Sequence, residues 1–351
     1  MYESHFGLQK NPFGMTPDPN FLFLTPAHRE GISALVYAIS ERKGFVALTG
    51  EAGTGKTTLL SQVLRSVPDN LASFSLVLNP TLGPDEFLES VLIDFGLGCV
   101  RNSKVHRLLR LQEFLTAAYA QNRTCVLVVD EAQKLSRNVL EEIRLLSNFE
   151  NADRKLLQIV LAGQPELRDI LNREDLRQLK QRIAVRFELK PLSVLQVDQY
   201  IRFRWSKAGG SDKLPFEEAA LQTIAHVSKG IPRVINCLCD NALLAAFSAG
   251  AASVEDGDVR QVMVDLDLGV PLGIVPRTWI SAPPKSVESD FSTSMSGRAL
   301  EMPGQAPEMP GLAPEVSELR TFERYELEDP NASRMRRLAA LGKIQEVTKF
   351  R

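Results

Sequence analysis

The chain has 351 residues, 44% of them hydrophobic and 24% charged, and its 41 Lys and Arg against 43 Asp and Glu give a net charge of −2. That length predicts two compact units plus a tail, and the composition excludes a small disulfide-stapled module, a fibrous chain and a wholly unfolded one. With so little net charge no global field draws the chain to nucleic acid or to an anionic membrane, so any such contact has to be local.

Residues 44–190 alternate short apolar runs with helix-like segments. The runs are GFVALTG (44–50), FSLVLN (74–79), TCVLVVDE (124–131), LLQIVLAG (156–163) and IAVRFEL (183–189). Near-continuous hydrophobicity, rather than strict alternation, predicts central strands of a parallel sheet with helices on both faces, an α/β domain.

The first run ends in Gly50-Glu51-Ala52-Gly53-Thr54-Gly55-Lys56-Thr57 and continues through Thr58 into the helix-like TTLLSQVLRSV. This fits G-x-x-x-x-G-K-[ST] at every fixed position and in the strand-to-helix context that the motif needs. Glycines let backbone N–H groups wrap phosphates, and a helix N-terminus adds a favourable dipole. Lys56 is therefore expected at the β- and γ-phosphates of ATP and the Thr57 hydroxyl on Mg²⁺.

The third run ends in Asp130 and Glu131. Carboxylates at the C-terminal end of such a strand sit in the crevice where α/β sheets bind ligands. Asp130 is expected to hold Mg²⁺ through water, and Glu131 to orient or deprotonate an attacking water.

Strand-like runs stop after Leu192, and helical patterns follow at 193–208, 216–228, 232–249 and 255–265, predicting a small all-helical lid domain over 193–268. From 269 to 330 the chain is rich in Pro, Ser and Glu and repeats EMPGQAP as EMPGLAP, a composition that predicts a disordered acidic linker. Residues 331–351 are basic, and Met335, Leu338, Leu341, Ile344 and Val347 recur at intervals compatible with an amphipathic helix. No stretch reaches the ~18 apolar residues of a membrane span. Cys99, Cys125, Cys237 and Cys239 are irregularly placed, and the N-terminal residues show no secretory signal, so a reducing cytoplasmic setting is expected.

Residues 1 to about 250 resemble the AAA+ ATPases of the general secretion pathway protein A type, through MYESHFGL, NPF, TPDPNFLF, GFVALTGEAGTGKTTLL, VLVVDEAQKLS, LEEIRLLSNFE, LLQIVLAGQPEL, LRQLKQRIAVRFEL and GIPRVINCLCDNALL in that order. The resemblance implies a P-loop AAA+ core over 44–192 and nucleotide bound between core and lid. It implies that Gln164 is a polar sensor of the γ-phosphate or attacking water. It also implies that Arg182 is a finger acting on a neighbouring subunit, with Arg177 and Arg186 as competitors, and that Arg233 is a second sensor reaching from the lid. Residues 1–43 become an adenine-side segment in which Asn11, Pro12 and Phe13 contact the base. The family's secretion members carry a membrane span and a peptidoglycan-binding domain after the ATPase, and neither is read in this sequence.

Other signals carry less. Arg101, Lys104, Arg107 and Arg110 recur every three residues as a phosphate-backbone stripe or, more blandly, a solvated helix face. Cys237 and Cys239 point to different sides of a helix and read as core, and His5, His28, His106 and His226 form no ligand spacing. The combined expectation is a Mg²⁺-dependent ATPase, active as a ring or spiral homo-oligomer. It would be cytoplasmic or peripheral at the inner membrane, energising or regulating a secretion, pilus or exopolysaccharide export system through an envelope partner. The alternative is a DNA-associated switch of the transposition-helper type.

Overall fold

The computed structural model describes residues 1–268 apart from 17, 69, 79, 99–102 and 153. The predicted linker over 269–330, the basic helix over 331–351, Cys99 and Arg101 lie outside the described residues.

A short α1 (Tyr2–His5) precedes α2 (Pro26–Ser40). Thr25 starts α2 by accepting from the His28 amide, and Pro26 takes the first helical position, where its missing N–H costs nothing. Then follow β1 (Phe45–Gly50), α3 (Lys56–Ser66), β2 (Ala72–Val77), α4 (Pro84–Asp94), α5 (Lys104–Ala120) and β3 (Thr124–Val129). The half closes with α6 (Arg137–Leu146), β4 (Leu157–Gly163), α7 (Glu166–Leu171), α8 (Arg177–Gln181) and β5 (Ile183–Leu189).

The strands form one five-stranded parallel sheet in the order β2-β3-β4-β1-β5. β1, β3 and β4 are buried almost throughout, while edge strand β5 alternates between half-buried and exposed positions. Cys125, Leu127 and Val129 face the layer of α4, α5 and α6, and Val126 and Val128 face the layer of α2 and α3, so β3 alternates across the sheet between two dry cores. Register brings the functional strand ends level: Thr49 of β1 pairs with Gly163 of β4, and Val129 of β3 with Leu161. The second strand begins earlier than the sequence pattern placed it, because Ala72 is drawn into pairing opposite Thr124.

The lid is built from α9 (Val194–Lys207), α10 (Glu218–Ser228), α11 (Pro232–Ser248) and α12 (Asp256–Asp265). Ser193 and Gln196 form a reciprocal capping box at the start of α9.

The sequence reading of 1–43 as one adenine-side segment needs correction. Tyr2, Leu8, Phe13 and Phe21 are buried in the same apolar cluster as Ile201, Trp205, Ile224, Leu238 and Leu243 of the lid, whereas Leu35, Ala38 and Ile39 of α2 pack on the sheet. Tyr2, Leu8, Phe13 and Phe21 are thus part of the lid core. Arg204, 8% exposed, anchors them by donating to the Pro12 carbonyl and to Tyr200 Oη (2.9 Å), and its guanidinium lies 5.0 Å from the centre of the Phe21 ring.

Candidate functional site

The loop between β1 and α3 lies at the C-terminal edge of the sheet, and Gly55 caps α3. Lys56, 5% exposed, turns back along it and donates to the carbonyls of Gly50 (2.7 Å) and Glu51 (3.0 Å). An ammonium has three donors, so one is left for a ligand inside the loop. Burial lowers the Lys56 pKa, while the carboxylates of Glu131, Asp130, Glu51 and Glu166 act to raise it. The Thr54 hydroxyl donates to the Glu51 carbonyl at 2.8 Å and pins the turn.

Thr57 Oγ1 donates to Asp130 Oδ2 at 2.9 Å, joining the head of α3 to the end of β3. Asp130 also accepts from the Glu131 amide at 2.8 Å, and its own amide reaches the Val77 carbonyl of β2 at 3.0 Å. Burial pushes the Asp130 carboxyl up, against the lowering effect of the Glu131 amide and the Thr57 hydroxyl. Thr57 and Asp130 offer only oxygen donors, which suits a hard cation. Among the described residues no three His, Cys, Asp or Glu side chains form a cage, and a hard cation held by one or two protein oxygens fills its shell with water and phosphate.

Glu131 sits at φ 52, a left-handed conformation that costs a non-glycine residue roughly 1–2 kcal/mol. Gln133 Nε2 donates to its Oε2 at 2.7 Å, Gln164 Nε2 at 3.4 Å, and Lys134 Nζ lies 3.6 Å away. Burial acts to raise the Glu131 carboxyl, but these donors and Lys56 outweigh it and leave the group below the ordinary glutamate value. Gln164, directly after β4, is brought beside Glu131.

Arg233 approaches from the lid. Its amide meets the Gly53 carbonyl at 3.4 Å, and a Cβ added to Gly53 would lie 2.7 Å from Arg233 Cβ. At φ 81 Gly53 also needs the freedom of glycine, so this position lets loop and lid close on each other. Arg182 is directed elsewhere. Its guanidinium donates to the Arg144 carbonyl (3.2 Å) in the last turn of α6 and to Ser147 Oγ and Asn148 Oδ1 (2.6 Å) just after it. Arg177 and Arg186 are exposed.

Phe13, expected to contact the base, instead has its ring fully buried in the lid core, edge-on to Phe216 at 6.1 Å, and presents no face to a base. Asn11 accepts from the Phe13 amide (2.7 Å) and donates to Asp240 (3.0 Å), and the Pro12 carbonyl is taken by Arg204. On α5 each cation of the basic stripe lies beside a carboxylate of the chain, Lys104 at Glu142, Arg107 at Asp85 and Arg110 at Glu113.

Two residues at the site carried no sequence signal that spacing rules catch. Gln133 follows Glu131 by two positions and returns to it only because Ala132–Lys134 forms a single 3-10 turn. His28, on the first turn of α2, shares a 2.7 Å hydrogen bond with Thr25 Oγ1, and its Nε2 lies 3.7 Å from where a Gly55 Cβ would be. A T-x-x-H pattern at a helix start was the available clue.

A family model described as an AAA domain matches residues 39–171. General secretion pathway protein A of Aeromonas hydrophila is 42% identical over 260 residues, covering 74% of this chain and 47% of that protein, so the chain spans about half the length of this curated relative. The fold is similar to the ORC2 protein of Aeropyrum pernix, solved in ADPNP and ADP complexes, with a TM-score of 0.55, 16% identity, and 73% and 72% of the two chains covered. It is also similar to CDC6P of Pyrobaculum aerophilum, with a TM-score of 0.56, 18% identity, and 77% and 76% covered. Among the described residues no helix is long and apolar enough to cross a membrane. The glycine loop on β1, the acidic end of β3 and the parallel sheet with its helical lid thus share the architecture of the AAA+ P-loop ATPases, with an AAA domain matched over residues 39–171 and a likeness to general secretion pathway protein A over 74% of this chain.

Proposed function

We propose that the chain binds ATP with Mg²⁺ in the Gly50–Thr58 loop and hydrolyses it. The observation that carries this reading is the convergence of Lys56, the Thr57–Asp130 pair and Glu131 at neighbouring strand ends. Loop amides and Lys56 hold the phosphates. Thr57, and Asp130 through water, would hold Mg²⁺, which would supply neutralisation of charge on the phosphate oxygens. Glu131, ionised at neutral pH because its donors hold it below the ordinary glutamate value, accepts a proton from the attacking water. Gln164 and Arg233 serve as the two sensors, and Arg182 is the finger offered to a neighbouring subunit of a ring or spiral.

We extend this engine to energising or regulating assembly of a secretion, pilus or exopolysaccharide export system from the cytoplasmic side of the inner membrane, of which the relative's name supports secretion alone. A DNA-associated switch is the weaker reading, because each cation of the α5 stripe has a carboxylate of the chain beside it.

Lys56→Ala is expected to abolish binding of a fluorescent ATP analogue, and Glu131→Gln to retain it while turnover falls about a hundredfold or more, the usual worth of a general base. Turnover unchanged in Glu131→Gln, measured by phosphate release, removes Glu131 from the role of base.

A further inference from the structure

We propose that Gln133 is a positioning residue that ties the Glu131 carboxylate to the backbone of Gln164, so that base and sensor move as one unit. This rests on the hydrolysis reading above. The Gln133 amide is used at both ends: Nε2 donates to Glu131 Oε2 at 2.7 Å, and Oε1 accepts the Gln164 backbone N–H at 3.0 Å. A carboxylate only accepts and a backbone N–H only donates, so just one orientation of the amide satisfies both. Glutamate at this position has no donor for Glu131, and lysine has no acceptor for Gln164.

The other tie between the two residues, from Gln164 Nε2 to Glu131 at 3.4 Å, is long for a hydrogen bond, so Gln133 is the principal link. Among the described residues the donors to this carboxylate all meet Oε2, which leaves Oε1 to accept from water. The end of β4 is shaped around the same amide. A Cβ on Gly163 would stand 2.7 Å from Gln133 Oε1 and 3.2 Å from the Gln133 nitrogen. Gly163 pairs with Thr49, the residue before the nucleotide loop, so a displacement of β4's end by a bound phosphate is passed through Gln133 to the base.

The test uses the full chain with Gln133→Ala, Gln133→Glu and Gly163→Ala, each also combined with Glu131→Gln. The measurements are kcat, affinity for a fluorescent ATP analogue, and hydrogen exchange of the Gln164 amide. Gln133→Ala is expected to lower kcat about tenfold, a part of what a general base contributes, with affinity kept within about twofold and the Gln164 amide exchanging faster. Gln133→Glu, close to isosteric, keeps the acceptor and hence the slow exchange but still loses turnover. Gly163→Ala reaches the same bond from the other side and lowers kcat likewise.

In the Glu131→Gln background none of the three is expected to reduce turnover further, a non-additivity that a general loss of folding does not produce. Full kcat in Gln133→Ala, unchanged Gln164 exchange, or losses that multiply in the Glu131→Gln background overturn the proposal. An unsubstituted chain that binds ATP and never turns it over overturns the hydrolysis reading and this inference with it. Normal turnover indifferent to Gln133 overturns the inference alone.

Discussion

His28 shows how a single side chain can brace a loop it does not belong to. Its Nδ1 shares a 2.7 Å hydrogen bond with the Thr25 hydroxyl, and Thr25 in turn accepts the His28 amide at 3.2 Å. Burial holds the imidazole below its ordinary pKa, and the Thr54 backbone only partly offsets that. The folded chain therefore binds this proton less well than the unfolded chain. The stabilising contribution is present above the ordinary histidine value of about 6.5 and is lost as the pH falls below it. Urea midpoints are expected to drop between pH 7 and 5.5, and to drop less in His28→Gln, which still offers a donor and an acceptor. Equal slopes for the two proteins would remove His28 from this role. The contrast with Lys56 explains what was legible at this scale. Lys56 works inside a contiguous motif whose every position is dictated by backbone geometry, whereas His28 and Gln133 act only after α2 and a 3-10 turn carry them to the site.

Elements were legible where periodicity is long. The lid helices announce themselves by apolar residues at helical spacing, and β1, β3 and β4 by unbroken apolar runs that a sheet buried on both faces requires. The N-terminal arm escaped because Tyr2, Leu8, Phe13 and Phe21 follow no period; each is a separate anchor dropped into the lid cluster. That placement changes what Phe13 is for. Phe13→Ala is expected to destabilise the chain by about 3–5 kcal/mol, the usual cost of deleting a buried phenyl ring. Phe13→Leu refills most of that volume and is expected to restore the unfolding midpoint substantially and leave ATP affinity unchanged. A ring stacked on adenine predicts the reverse pattern for Leu, with stability kept and affinity lost. Denaturant unfolding and nucleotide titration of the same two variants decide between them.

At the scale of the whole molecule the lid reaches the nucleotide loop at Gly53 and Arg233, so lid position and loop contents are mechanically linked within one subunit. The proposed action of one subunit on the next is tested at Arg182. In its own chain that guanidinium braces the end of α6 through Ser147 and Asn148, so substituting it removes a structural contact whether or not it also serves a neighbour. Loss of activity in Arg182→Ala is therefore ambiguous by itself, and complementation resolves it. A Lys56→Ala subunit has an empty phosphate site but an intact finger, and an Arg182→Ala subunit has the converse. If the finger acts in trans, each variant alone is inactive, and mixing them creates junctions where a complete site meets a complete finger. Turnover is then expected to recover to a sizeable fraction of the unsubstituted level and to rise with total protein concentration, as association requires. A mixture that stays as inactive as its components, while sedimentation shows that both assemble with ATP, assigns Arg182 to bracing α6 and moves the search for the finger to Arg177 and Arg186.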